Sequence, residues 1–462
     1  MNKETDLKQR LTVFDSVCLV IGSVIGSGIF VSPTRVLLQL NQSPLLSLGA
    51  WFVAALISLA GALCYAELGC MFPKAGAEYE YLKNGLGRFW GFLFAWSQLI
   101  VLGTGSIAIM AIISSNYLVE AILPNAPTVY TKIFAIALVL GLTIANCFGI
   151  ESGSWLQNVL TIIKVISIVF LLALGLVYWQ NLHFENFSQD ILISSPKQAL
   201  SGLHFKFGAA LIACLWAFDG WNNLSRVNEE SVNVQKTLPK SLIIGLLFIT
   251  LIYLSLNCLY FLILPPAQIV QSKAIALSAL SVLAGKAAWL KALGVSFIVG
   301  LIISFSAGGA TNGGVLTGAR IYFAAARDKL FFEIFGKTHP KTKAPVPALV
   351  LQGAWAIFLI CLGNFETLLD YFSFSAWLFY SACACILIYL RRQKPELNRP
   401  YKVFAYPFTP IIFLFAALYL VISQVINSPI QSLLSLLGIL SGLLFYFPFL
   451  RKPTSALQKP PD

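Results

Sequence analysis

Gly22-Ser23-Val24-Ile25-Gly26-Ser27-Gly28-Ile29-Phe30 is the stretch that decides the fold. It lies inside an apolar block, roughly Val13–Leu40, that is long enough to cross a bilayer. Glycine costs a helix about 1 kcal/mol relative to alanine, so three glycines and two serines here weaken the middle of the block. Two readings compete. Gly22-xxx-Gly26 is a small-xxx-small spacing through which helices pack closely. Alternatively the helix breaks here, and its second half turns unpaired backbone N–H groups and a positive dipole end toward an anion.

The rest of the chain sets that block in a membrane. Of 462 residues, 58% are hydrophobic and only 11% charged, and the mean hydropathy is +0.80. So few charges cannot cover the surface of a soluble protein of this length. The apolar residues run in continuous blocks, not in the alternating ten-residue segments of a membrane β-barrel. Twelve blocks are expected, at about Val13–Leu40, Pro44–Met71, Phe89–Ala121, Tyr130–Phe148, Trp155–Trp179, Phe207–Val227, Ser241–Leu264, Leu290–Ala326, Val346–Leu362, Leu368–Leu390, Tyr406–Ile426 and Ile430–Leu450. The chain therefore reads as an all-α polytopic membrane protein. Its single twelve-helix domain spans 13–450, between tails 1–12 and 451–462.

An even number of crossings puts both termini on one side. Lys and Arg crowd the tails and the connections after the second, sixth, eighth and tenth blocks, while seven lie on the other face. By the positive-inside rule both tails are cytoplasmic. The same asymmetry accounts for the net charge of +12 without nucleic acid. MNKETDLKQR has no cleavage signal, so the first block is expected to be retained. The nine cysteines lie in or beside apolar blocks and show neither a disulfide framework nor metal spacing. His183, His204 and His339 fall in separate loops, so no metal site or cofactor is expected.

The sixth block has its own interruption, Trp216-Ala217-Phe218-Asp219-Gly220-Trp221-Asn222-Asn223. Asp-Gly is a turn signal, and a carboxylate near mid-membrane costs a few kcal/mol unless it faces protein or water. Asp219 reads either as the cap of a following half-helix or as a direct contact for a substrate amine. Breaks in the first and sixth helices suit two five-helix repeats of inverted topology, about 13–180 and 207–390, followed by two extra helices at 406–450. The residues themselves show no convincing repeat.

GSVIGSGIF followed by WAFDGWNN resembles the amino acid–polyamine–organocation transporter superfamily, and within it the L-type amino acid transporter branch. Support runs along nearly the whole chain. Pro73-Lys74-Ala75-Gly76-Ala77-Glu78-Tyr79 is similar to the family's P-x-A-G-G-x-Y loop, with Ala77 in place of the second glycine. Asn228-Glu229-Glu230, Thr311-Asn312-Gly313-Gly314, Ala326-Arg327-Asp328 and the basic run from Arg391 follow in order.

The resemblance implies the leucine-transporter fold, with backbone N–H groups of Ser27, Gly28 and Ile29, beside Gly26, holding a substrate carboxylate. Carbonyls of Val24, Ile25, Trp216, Ala217 and Asp219 would receive its ammonium. Trp216 would be an aromatic gate, Phe218 would narrow the pocket, and Asn222 would lie close to the ligand. Lys164, nine residues into the fifth helix, stands where sodium-driven relatives bind a cation. It would bridge Gly22 on the first helix to Ser304 or Ser306 on the eighth. The bland alternative is that it snorkels to the cytoplasmic face. Glu67, Glu229 and Glu230 are expected in solvated or gating ion pairs.

The chain has no HExxH, GxSxG or P-loop motif, which argues against an enzyme. It has no pore ring to suggest a channel. The expected function is sodium-independent transport of free amino acids by alternating access, as an exchanger of small or medium neutral substrates. The alternative is a proton-coupled or cationic amino acid permease. Animal L-type transporters are joined to a heavy subunit through a cysteine in the loop between the third and fourth helices. Here that loop, Ile122–Tyr130, has none, so no covalent partner is expected, as for a bacterial inner-membrane member.

Overall fold

The computed structural model describes residues 7–188, 203–272, 274–285, 294–362 and 365–450. Among these residues all regular structure is helical, apart from one isolated parallel bridge between Leu11 and Ser231. Among the described residues nine helices are long and apolar enough to cross a membrane, and the bent pair Val13–Val24 and Gly28–Gln39 makes a tenth span. Two shorter apolar helices, Leu203–Phe218 and Val346–Leu362, fill the sixth and ninth places. Most sequence-derived block ends lie within a few residues of helix ends; the seventh helix begins seven residues earlier, at Val234, the sixth stops at Phe218 instead of running to Val227, and the expected start of the eighth block lies outside the described residues.

Local chemistry sets the boundaries. Thr12 and Asp15 form a reciprocal capping box that starts the first helix at Val13. The Ser43 hydroxyl accepts from Leu46 N–H at 3.1 Å, and Pro44 follows at the first helical position. The Asn233 side chain caps Val234–Ile263.

Three features depart from the sequence expectation. The connection after the second span is not all loop but contains the helix Glu78–Leu86. The connection before the eighth span carries two short helices, Pro266–Val270 and Ile275–Ala284. The last span is interrupted at Ser441, between Pro429–Leu440 and Gly442–Leu450, and there the Ser441 hydroxyl accepts from Trp96 Nε1 at 2.9 Å.

The eighth span, Val295–Arg327, packs against the first, third and fifth. Buried amides tie it into a scaffold. Asn146 of the fourth span donates to Asn312 at 2.9 Å, and Asn312 donates to Gln157 of the fifth at 2.8 Å. Unpaired amides there would be costly, so these helices are held in one register.

The face that carries residues 7–11 is closed by ion pairs. Arg320 meets Glu230 in two contacts of 2.8 Å, both residues being almost fully buried. Arg327 pairs with Glu229 at 2.8 Å, and Arg391 with Glu67 at 2.5 Å. The expectation of solvated pairs is corrected in one respect, because all three carboxylates are buried. The N-terminal strip joins the same closure through Arg10 and Leu11 N–H groups on the Glu230 carbonyl, at 2.8 and 2.9 Å.

Candidate functional site: a cavity between two broken helices

The first span breaks where its glycines predict. Ile25 takes an extended conformation at the end of Val13–Val24, and the second half resumes at Gly28, bent by 46° from the first. The glycine pair serves both close packing and the helix break, one at each residue. A side chain at Gly22 would collide with Gln157 and Thr161 of the fifth span, so Gly22 serves close packing. Gly26 lies at the break and lines a cavity.

The sixth span stops at Phe218 and turns through Asp219–Asn222 before the short helix Asn223–Arg226. Gly220 makes this turn at φ +110°, and a Cβ there would stand 2.9 Å from the Ser23 carbonyl oxygen. The two interruptions therefore touch. A Cβ on Gly28 would lie 2.7 Å from Ala217 Cβ and 2.8 Å from its Cα, so this position admits glycine alone without movement.

Between the breaks lies a cavity of about 60 Å³, on the order of five water-sized volumes. Its wall includes Ser23, Val24, Gly26, Gly28, Trp216, Ala217, Asp219 and Asn222. Of the first N–H groups of Gly28–Gln39, that of Phe30 donates to the Ser27 carbonyl at 3.0 Å, and a helix start offers no acceptor one full turn back for the donors before it. Ser27, which precedes that helix, gives no side-chain cap. The arrangement presents a donor-rich helix end beside unwound carbonyls, which suits a group with a negative and a positive end.

Other predicted site residues are placed differently. The Ile25 carbonyl accepts from Lys164 Nζ at 2.5 Å and from Ser306 Oγ at 3.1 Å, so it is taken up by the scaffold and not turned to the cavity. Phe218 packs on Trp51 and Tyr253 with ring centroids 6.1 and 4.9 Å away and is absent from the cavity wall. Ser27 and Ile29 are fully buried and also lie outside that wall. Asp219 does not cap the following helix. Its carboxylate accepts from the Tyr380 hydroxyl at 2.7 Å. The Tyr253 hydroxyl lies between the breaks, 2.9 Å from the Ala217 carbonyl and 3.2 Å from that of Val24.

Lys164 is 1% exposed and does not snorkel. Its ammonium donates to the carbonyls of Gly22 at 2.8 Å, Ile25 at 2.5 Å and Ser306 at 2.9 Å. Ser304 is not part of this bridge, because its hydroxyl and carbonyl face Ser114 of the third span.

The sequence reading assigned no role to several residues that complete the wall. Gln98 stands on a π-helical turn, Gln98–Leu102, of the kind that often marks a functional position. Tyr380 comes from the tenth span, and Glu78 and Arg226 from the closed face. Glu78 lies within the quoted loop motif, which was the available signal. Tyr380 sits in an ordinary apolar run and has none.

Paired broken helices around a buried, partly polar cavity define a membrane carrier. The family model described as amino acid permease matches residues 11–444, and the chain belongs to that family, within the amino acid–polyamine–organocation superfamily. Curated relatives agree along nearly the full length. The chain is 34% identical to the mouse b(0,+)-type amino acid transporter 1 over 451 residues, 97% of this chain and 89% of the relative. Against the human protein of that name the identity is 33% over 465 residues, 99% and 91% of the two chains. The mouse large neutral amino acids transporter small subunit 2 is 31% identical over 452 residues, 96% and 81% of the two chains. The protein is an amino acid transporter of multi-pass architecture, not an enzyme.

Proposed function

We propose that this chain transports amino acids without sodium, by exchange, binding small or medium neutral substrates between the breaks of the first and sixth spans. The observation that carries the reading is the Lys164 ammonium, which donates to backbone carbonyls of both the first and the eighth span. A built-in cation there does what a bound sodium ion would do, which removes the requirement for one. The substrate carboxylate would meet the N–H groups at the start of Gly28–Gln39. Trp216 would stand over the bound molecule, and the termini would be cytoplasmic in a bacterial inner membrane. The test is a panel of labelled amino acids in proteoliposomes, with sodium replaced by choline, with and without internal amino acid, and at two pH values. Uptake that needs sodium, or that is unaffected by internal amino acid, would refute the reading.

A second reading concerns charge. Asp219 lines the cavity with a neutral hydroxyl as its bonded partner, which favours a cationic substrate or a proton at that carboxylate. Competition by arginine stronger than by alanine, serine or leucine would put this reading first.

We also propose that the transporter works as a single chain. The connection between the third and fourth spans has no cysteine, and Cys147 lies at the opposite end of the fourth span. Spatial neighbours add one that sequence spacing missed. The exposed Cys361 ends the ninth span, where its carbonyl accepts from Lys132 near the start of the fourth at 2.9 Å.

A further inference from the structure

We propose that Glu78 is a positioning residue that couples the substrate cavity to the closed face of the transporter; the proposal rests on the transport reading above. Glu78 is fully buried and, with Asn222 and Arg226, lines the cavity. Its Oε1 accepts from Asn222 Nδ2 at 2.6 Å and from Arg226 Nη2 at 3.2 Å, and its Oε2 accepts from Arg226 Nε at 3.3 Å. Asn222 belongs to the turn at the sixth-span break, so one carboxylate grips the binding region directly.

The same carboxylate rides on the short helix Glu78–Leu86, which belongs to the closure. The approach to that helix is a sharp turn, with Gly76 at φ +99° and Ala77 at φ +37°. Gly76 N–H donates to the Arg226 carbonyl at 3.0 Å, and Ala75 N–H to Glu229 Oε2 at 3.1 Å. One residue beyond Glu78, the Tyr79 hydroxyl donates to Asp328 at 2.8 Å, and Lys83 is ion-paired to the same carboxylate. The helix is thereby fastened to the end of the eighth span.

A substrate leaving toward this face needs the closure to open. If the helix carrying Glu78 lifts away, the Arg226 guanidinium and the Asn222 amide lose their carboxylate inside the bundle. A stranded buried charge is strongly unfavourable, so the link holds the face closed and keeps Asn222 in place. Loss of the link shifts the balance toward the form open on that face, and a shift of this kind appears as unequal apparent affinities from the two sides.

The test is KM measured from both faces, in intact expressing cells and in inverted vesicles, for one labelled amino acid that the wild type transports. For Glu78→Gln the KM from the opposite face should rise about tenfold or more relative to that from the face carrying residues 76–83. Adding Arg226→Gln removes the stranded charge, so the double variant should keep the unequal KM values whatever its maximal rate. Glu78→Asp keeps the charge and should restore much of the wild-type ratio. Equal KM changes from both faces would mean direct substrate contact, and a loss of maximal rate alone would mean a structural role; either overturns the proposal. If Glu78→Gln does not reach the membrane, the same ratio in the double variant decides. Absence of saturable wild-type transport would overturn the transport reading itself, and this role with it.

Discussion

Replacing Lys164 with methionine keeps most of the volume and removes the charge. Three carbonyls lose the ammonium, at 2.8, 2.5 and 2.9 Å, but they do not suffer equally. The Ile25 carbonyl keeps Ser306 Oγ at 3.1 Å, and the Ser306 carbonyl lies in a continuous helix. Gly22 is the exposed case, because the N–H that would serve it in an unbroken helix, that of Gly26, turns to Val24 at 2.8 Å. Stranding one buried carbonyl costs about 1–3 kcal/mol, and each lost bond to a charged donor about 1.5–3. Relief of the buried charge offsets several kcal/mol. A net loss of roughly 2–4 kcal/mol in the form that ties the first span to the eighth corresponds to a fall in transport of about two orders of magnitude. Uptake by reconstituted Lys164→Met and Lys164→Ala proteins, in sodium and in choline, reads this out. Lys164→Met within tenfold of wild type, or wild-type uptake abolished in choline, would refute the reasoning.

Three further predictions follow from the site and its closure. Gly28→Ala should abolish transport because its Cβ collides with Ala217. That loss alone would not prove carboxylate binding, so the separating measurement is competition by amino acid amides or esters, which should be weak, while Ser27→Ala should remain active. Glu230→Gln should lower the melting temperature in detergent markedly, since removing one partner of a buried pair costs about 3–5 kcal/mol; an unchanged melting curve would show that the Arg320 pair is not holding the closure. The purified single chain should transport equally with and without reductant. Activity that needs a second polypeptide joined by a reducible bond would overturn the single-chain reading and direct attention to Cys361.

Much of this protein was legible in one dimension. Continuous apolar blocks report spans because a bilayer requires about twenty apolar residues per helix. The breaks were readable because Gly22–Gly28 and Asp219-Gly220 act on the backbone locally, whatever surrounds them. What a side chain meets is a different matter. Ser304 and Ser306 lie two residues apart, about 200° around the helix; the sequence offers both for Lys164, and only packing turns Ser306 toward the first span and Ser304 toward Ser114. The Ile25 carbonyl was assigned to the cavity by analogy, but the placement of Lys164 takes it into the scaffold. Glu78 and Tyr380 join the cavity from distant segments of the chain, and Arg226 from the short helix just beyond the break. Spans and breaks are therefore set by local composition against the membrane, whereas the chemistry of the cavity wall depends on which faces the folded helices turn inward.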